Sequence, residues 1–147
     1  MANLVFNIAK GKVAHLASLP ATNDALIAVV IEASGVVSDA TMRDYDDLAT
    51  LLAGASNEQT TMGRKTLASV TVTVNDTDDR VEVDAADITW TAASGNAVAC
   101  VVICYDPDTT GGTDGDLVPL VKLDMAVTPG GGDVVLAFGA GGFYQAA

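Results

Sequence analysis

Few side chains in this sequence could perform chemistry, and their spacing decides what each can do. His15 is the sole histidine among 147 residues, so any Ser/His/Asp or Cys/His nucleophilic mechanism would have to run through it. Its neighbours are Ala14 and Leu16, and no glycine elbow or cysteine box surrounds a candidate nucleophile. A structural or solvent-tipped imidazole is the reading that context supports. Cys100 and Cys104 are the only cysteines. Four positions along an extended strand set them about 13 Å apart, beyond disulfide reach. They read as small buried hydrophobes on one strand face, and a metal site would need ligands that one histidine hardly supplies.

Aspartates come in groups: Asp44, Asp46 and Asp47; Asp76, Asp78 and Asp79; Asp84 and Asp87. A glycosidase needs two carboxyl groups facing each other across a sugar cleft, usually with aromatic walls. These groups sit instead in turn-like stretches and read as solvated turn formers. The stretch from Asp106 to Asp116 imitates a calcium loop, with Asp106, Asp108 and Asp114 at its first, third and ninth positions and Gly111 at its sixth. Thr110 and Leu117 break the pattern at the fifth and twelfth, and no helices flank it. It reads as an acidic turn, in which those three aspartates are the residues that would hold calcium. Gly130 to Gly132 and Gly139 to Gly142 precede no helix, so they predict hairpins and close packing rather than a phosphate cradle. No catalytic residue and no cofactor is expected, and the chain does not read as an enzyme.

The elements that must position these residues are mainly strands. Leu4, Phe6 and Ile8 share one face of an N-terminal strand or docking arm over residues 1–20. Lys10-Gly11-Lys12 interrupts it and Val13 to Ala17 resumes the apolar pattern. Ala25 to Ala33 predicts a buried strand of β-branched and aliphatic residues. Thr41 and Asp44 have capping-box spacing, Met42, Tyr45, Leu48, Ala49 and Leu52 follow at helical intervals, and Gly54 supplies a stop. The spacing predicts one short helix over residues 41–53. Residues 55–65, with Glu58, Gln59, Met62 and Arg64, have little periodicity and predict an exposed contact loop.

From there the pattern is β to the end. Val70, Val72 and Val74 alternate with threonines, Asn75 to Asp79 turns the chain, and Val81 and Val83 restart the alternation. The apolar phase slips between Ala85 and Ala86, which predicts a bulge or bend before Ile88 and Trp90. Ala97 to Tyr105 is nearly continuously apolar, as a central strand covered on both faces would be. Val121, Leu123, Met125 and Val127 lead through a Pro129–Asp133 hairpin to Val134, Leu136 and Phe138, which are expected to pair back on them. The expectation is one β-rich domain spanning residues 1–147, an antiparallel β-sandwich or barrel-like fold of about six to seven strands.

Composition narrows the partners. Half of the residues are hydrophobic, yet only 5% are aromatic, which suits flush packing better than a ring-lined pocket. The net charge of −12 repels phosphate backbones and anionic lipid heads, so neither nucleic acid nor membrane is an expected partner. The N-terminus lacks a basic segment followed by a long apolar one. The longest strongly apolar stretches fall short of the roughly 20 residues that span a bilayer. Synthesis in the cytoplasm as a soluble protein is the expectation.

Ala40 to Leu48, Asn57 to Lys65, Asp87 to Thr91, Ala97 to Asp106 and Phe143 resemble stretches of small virion proteins encoded in the structural modules of tailed phages. The order of features is similar too: an Asp-x-Thr-Trp strand, a central apolar strand ending in Tyr-Asp, an acidic loop, a Pro-Leu strand and a Thr-Pro-Gly hairpin. The resemblance implies a capsid decoration protein or another minor head component; with the absence of chemistry and the Ala/Val-rich content, the expectation is a place on the capsid surface of the virion. Its partner would be the major capsid protein, with self-association into a homo-oligomer. It carries over no active-site residue. Candidate contacts are Leu4, Phe6 and Lys10 in the arm, Met62, Arg64 and Lys65 in the loop, and Phe143 and Tyr144 near the C-terminus. Arg64 and Lys65 matter because an acidic protein facing an acidic shell needs local positive charge. A tail, connector or head-fibre component is an alternative. Another is a surface- or carbohydrate-binding β-sandwich using Trp90, Tyr105 and the acidic loop.

Overall fold

The computed structural model describes residues 1–147. The chain is mainly β, with antiparallel sheets of five, three and two strands, which agrees with the β-sandwich-like class its sequence predicts. The strands are β1 (Leu4–Val5), β2 (Ala25–Glu32), β3 (Lys65–Thr66), β4 (Thr71–Asn75), β5 (Arg80–Asp84), β6 (Ile88–Trp90), β7 (Val98–Asp106), β8 (Val118–Val127), β9 (Val134–Leu136) and β10 (Tyr144–Ala146). Three short helices join them: α1 (Val13–Ala17), α2 (Asp39–Met42) and α3 (Leu48–Ala53). A single 3-10 turn covers Asn7–Ala9. No helix is long and apolar enough to cross a membrane.

The first sheet has the order β1-β8-β7-β2-β3. Its central strands are the continuous apolar runs: every residue of β2 from Ala25 to Ile31 is buried, as is every residue of β7 from Val98 to Cys104. Strands covered on both faces lose the alternation that one solvated face imposes. Pro119 sits inside β8 opposite Cys104, where the register with β7 shifts. A residue without an N–H is accommodated at such an irregularity, because no regular ladder bond is forfeited there. One cluster of 34 buried hydrophobic residues draws on all three sheets and the helices.

The second sheet, β10-β5-β4, is the hairpin the valine and threonine alternation predicts, closed by β10. At the predicted phase slip the chain leaves this sheet: the Asp84 side chain accepts the Ala85 N–H, the Ala86 N–H bonds Ala68, and β6 begins a separate ribbon with β9.

Several expectations are corrected. The predicted helix over 41–53 is divided into α2 and α3. Ser38, rather than Thr41, caps α2 by accepting the Thr41 N–H, and Asp47 caps α3 by accepting the Thr50 N–H at 2.7 Å. The Leu48 and Ala49 N–H groups then bond Leu117 and Asp114 of the acidic loop, which fixes a fresh start for α3. The restart also changes the stripe, so that Leu51 is buried and Ala49 exposed. The segment resuming at Val13 is helical, with Val13 and Ala17 buried one turn apart. β9 pairs with β6 instead of returning to β8, because Ala93 exchanges backbone bonds with Gly131 and Gly132 and β1 already occupies the free edge of β8. Residues 55–65 are not an exposed loop: Ser56, Gln59 and Met62 are buried, and the segment lies along β2 through Glu32–Asn57 and Gln59–Val30 backbone bonds.

Candidate functional site

The N-terminal arm is docked on its own chain. Leu4 pairs with Lys122, the Phe6 N–H bonds the Leu120 carbonyl, and the Asn3 side chain accepts the Asp124 N–H. Phe6 is fully buried, so this contact candidate is core, while Leu4 is half-buried against that core. Beyond it the 3-10 turn and Gly11 carry Lys10 and Lys12 into solvent. The Asn7 N–H bonds the Arg43 carbonyl at 2.8 Å, which sets that turn beside the end of α2. Lys10, Lys12 and Arg43 are exposed, and none of them has an ion-pair partner.

Arg64 is used within the molecule. Its guanidinium donates to both oxygens of Glu58 and to both oxygens of Asp114. Its hydrogen bonds to Glu58 and then to Asp114 hold it charged far above neutral pH, and Arg64 in turn holds the Asp114 carboxyl below its ordinary range. The fork ties residues 55–65 to the acidic loop and leaves little of Arg64 for a partner. Met62 is buried and Lys65 half-buried in β3. Phe143 is also buried, its ring 5.3 Å from that of Phe138 in a tilted stack, and Tyr144 is half-buried in β10. Gly142 lets the chain come close to β5 just before Phe143: its φ is +72°, and a Cβ there would collide with the Val83 carbonyl.

The acidic loop does not assemble a cation site. Asp106 accepts the Asp108 N–H, Asp108 accepts the Thr110 N–H and hydroxyl, and Asp114 faces Arg64. The Thr110 bonds also keep the Asp108 carboxyl below its usual range. Nowhere does the chain gather three metal-ligating His, Cys, Asp or Glu side chains. The other aspartates behave alike: Asp47 caps α3, Asp78 pairs with Arg80 in the hairpin tip, and Asp87 accepts the Phe138 N–H. His15 is exposed on α1. Both cysteines are buried and free, and burial pushes the Cys100 thiol up to about 12 and Cys104 higher. Trp90 presents no sugar-stacking face, since it is buried with its indole N–H on the Gly63 carbonyl; the Tyr105 hydroxyl donates to Asp24.

One functional-looking residue escaped the sequence, and the burial of another runs against its predicted exposure. Lys122 is fully buried, and its ammonium donates to Asp39 at 2.6 Å. Asp39 also accepts the Ala2 N–H, and these two bonds lower its pKa. The signal was a lysine flanked by Leu120, Val121 and Leu123, which places a charge in a strand covered on both faces. Gln59 is the second: its amide donates to the Asn96 carbonyl and accepts the Thr61 N–H, so its burial is satisfied locally.

Three clefts of about 220, 300 and 250 Å³ mark the surface. Two of them flank Asn3, Leu123 and Phe143, where the N-terminal arm meets the C-terminal segment; the other lies beside the tip of the β4–β5 hairpin. None combines a nucleophile with a base. The surface offers three exposed cations without ion-pair partners, Lys10, Lys12 and Arg43, with Asp44 held by the Asn7 side chain beside the last of them, and apolar side chains exposed on β4. Comparison with known proteins finds no match, whether a family model, a curated protein or a solved structure.

Proposed function

We propose that the chain is a virion structural protein, a capsid decoration protein that binds the outside of a tailed-phage head and stabilises it. The observation that carries this reading is the supply of free positive charge: on a chain of net charge −12, Lys10, Lys12 and Arg43 are exposed without an ion-pair partner. Docking such a chain on an acidic shell requires local positive charge at the contact, and elsewhere the cations are paired internally or half-buried. The resemblance suggested by the sequence to small virion proteins of tailed phages points to the same reading.

The action is thermodynamic. A protein that binds the assembled shell, and not its separated subunits, shifts the assembly equilibrium by mass action. The major capsid protein is the partner, the capsid surface the location after synthesis in the host cytoplasm, and neither nucleic acid, membrane, cofactor nor catalysis is involved. Mixing purified chain with heads that lack it should raise their melting temperature. Lys10→Glu, Lys12→Glu and Arg43→Glu together should abolish both the binding and the shift. Shells that melt at the same temperature with and without the chain would sink the reading. A copy number in virions far below that of the capsid subunit would favour the connector or tail alternative.

A further inference from the structure

We infer that the outer edge of β4 pairs antiparallel with the same edge of a second copy, about a two-fold axis through Thr73. This goes beyond the decoration reading and does not depend on it. Edge strands in native proteins are usually blunted by charge, proline, a bulge or brevity. β4 has none of these: it runs Thr-Val-Thr-Val-Asn without a charge or irregularity, and its register with β5 is unbroken from Thr71 to Asn75. Val72 is 37% and Val74 69% exposed.

The ladder defines which groups face outward. The Val83 carbonyl accepts from Phe143, on the β10 side. In an antiparallel ladder a residue directs its N–H and C=O to the same side, so the Val83–Val72 pair is of the non-hydrogen-bonded kind. Val72 and Val74 therefore turn their N–H and C=O groups away from β5. No backbone bond outside the hairpin reaches residues 71–75.

A second copy fits this edge. With Thr73 opposite Thr73, Val72 of each copy meets Val74 of the other and they exchange hydrogen bonds at both positions. The exposed valines then cover one another on one face of a six-stranded sheet. Electrostatics selects the register. Centred on Thr73, the paired segment is uncharged, and each acidic tip reaches only Val70 and Ser69 of the other copy. Centred on Val74, the register would instead bring Asp76 onto Val72 and draw the acidic tips together. On the opposite face, the row through Thr71 of one copy and Asn75 of the other ends in Asp84 and Arg80, charges of opposite sign. A five-residue edge covers less than the roughly 1,200–2,000 Å² of a stable interface, so the pairing is weak in dilute solution and grows where copies are held close together.

The test is oxidative cross-linking of the purified full-length chain. In a non-hydrogen-bonded antiparallel pair the Cα atoms are about 4.5 Å apart, within disulfide range, so Thr73→Cys should cross-link to itself. Thr71→Cys, displaced from the axis, should react at least about tenfold more slowly, and the buried native cysteines should not contribute. Adding Val74→Pro to Thr73→Cys removes an outward N–H without touching the hairpin's own bonds and should lower the rate to the Thr71→Cys level, with an unchanged circular dichroism spectrum. Equal rates for the two cysteine positions, absence of dimer from Thr73→Cys, or indifference to Val74→Pro would each overturn the inference.

Discussion

The two larger sheets treat their edges in opposite ways. The five-stranded sheet keeps its long strands β2, β7 and β8 inside and ends in β1 and β3, each two residues long. The three-stranded sheet places a five-residue strand outermost, and four of its five residues are exposed. One region puts its apolar content into a closed core, and the other leaves apolar side chains and backbone groups available. The first can therefore supply stability without inviting association, while the second can associate without holding the fold together.

Substitutions can break that contrast. Replacing the fully buried Ile103 of β7 by alanine should destabilise the chain by about 2–5 kcal/mol in urea denaturation, from lost burial and the cavity left behind. Next comes Asp39→Ala, which strands the buried Lys122 ammonium and should cost about 3 kcal/mol, near the low end for a broken buried pair because Asp39 keeps some solvent contact. Lys122→Met removes the charge along with the pair and should cost much less. Both Asp39 and Asp114 have folded pKa values below the unfolded one. The stability they contribute is present above about pH 4 and is lost as pH falls through the folded values. A melting-temperature titration should show the decline beginning there, and Asp39→Asn should flatten it. Smallest is Val74→Thr on the exposed edge, expected within about 0.5 kcal/mol of the parent. A cost of several kcal/mol there would mean that the edge strand supports the core after all.

The sequence was most legible where a single physical pressure acted on a segment. Continuous apolar runs marked β2 and β7, and strict alternation with an Asn/Asp turn marked β4 and β5. It was least legible where distant partners decided the outcome. The break between α2 and α3 depends on carbonyls of Leu117 and Asp114, and β10 exists because Gly142 lets the chain reach Val83. The proposed contacts suffered from the same blindness. Phe6 falls in a predicted arm and Met62 and Phe143 outside the predicted strands, so all three read as available, but a chain with so few aromatic and large side chains draws them into its interior. Lys10 remains exposed, and the backbone bond that sets Asn7 beside Arg43 is legible only in the fold.

The pairing of β1 with β8 and of β5 with β10 has a consequence for the chain's birth. Residues 4–5 must wait for residues 121–122, and the β4–β5 hairpin keeps both of its edges open until residues 144–146 have left the ribosome. Neither large sheet can be completed before these later residues are made, so folding relies on contacts far apart in sequence, which form slowly. Nascent chains crowded on one message would meet each other with that hairpin exposed, and the net charge of −12 is then what holds them apart until the last strand closes.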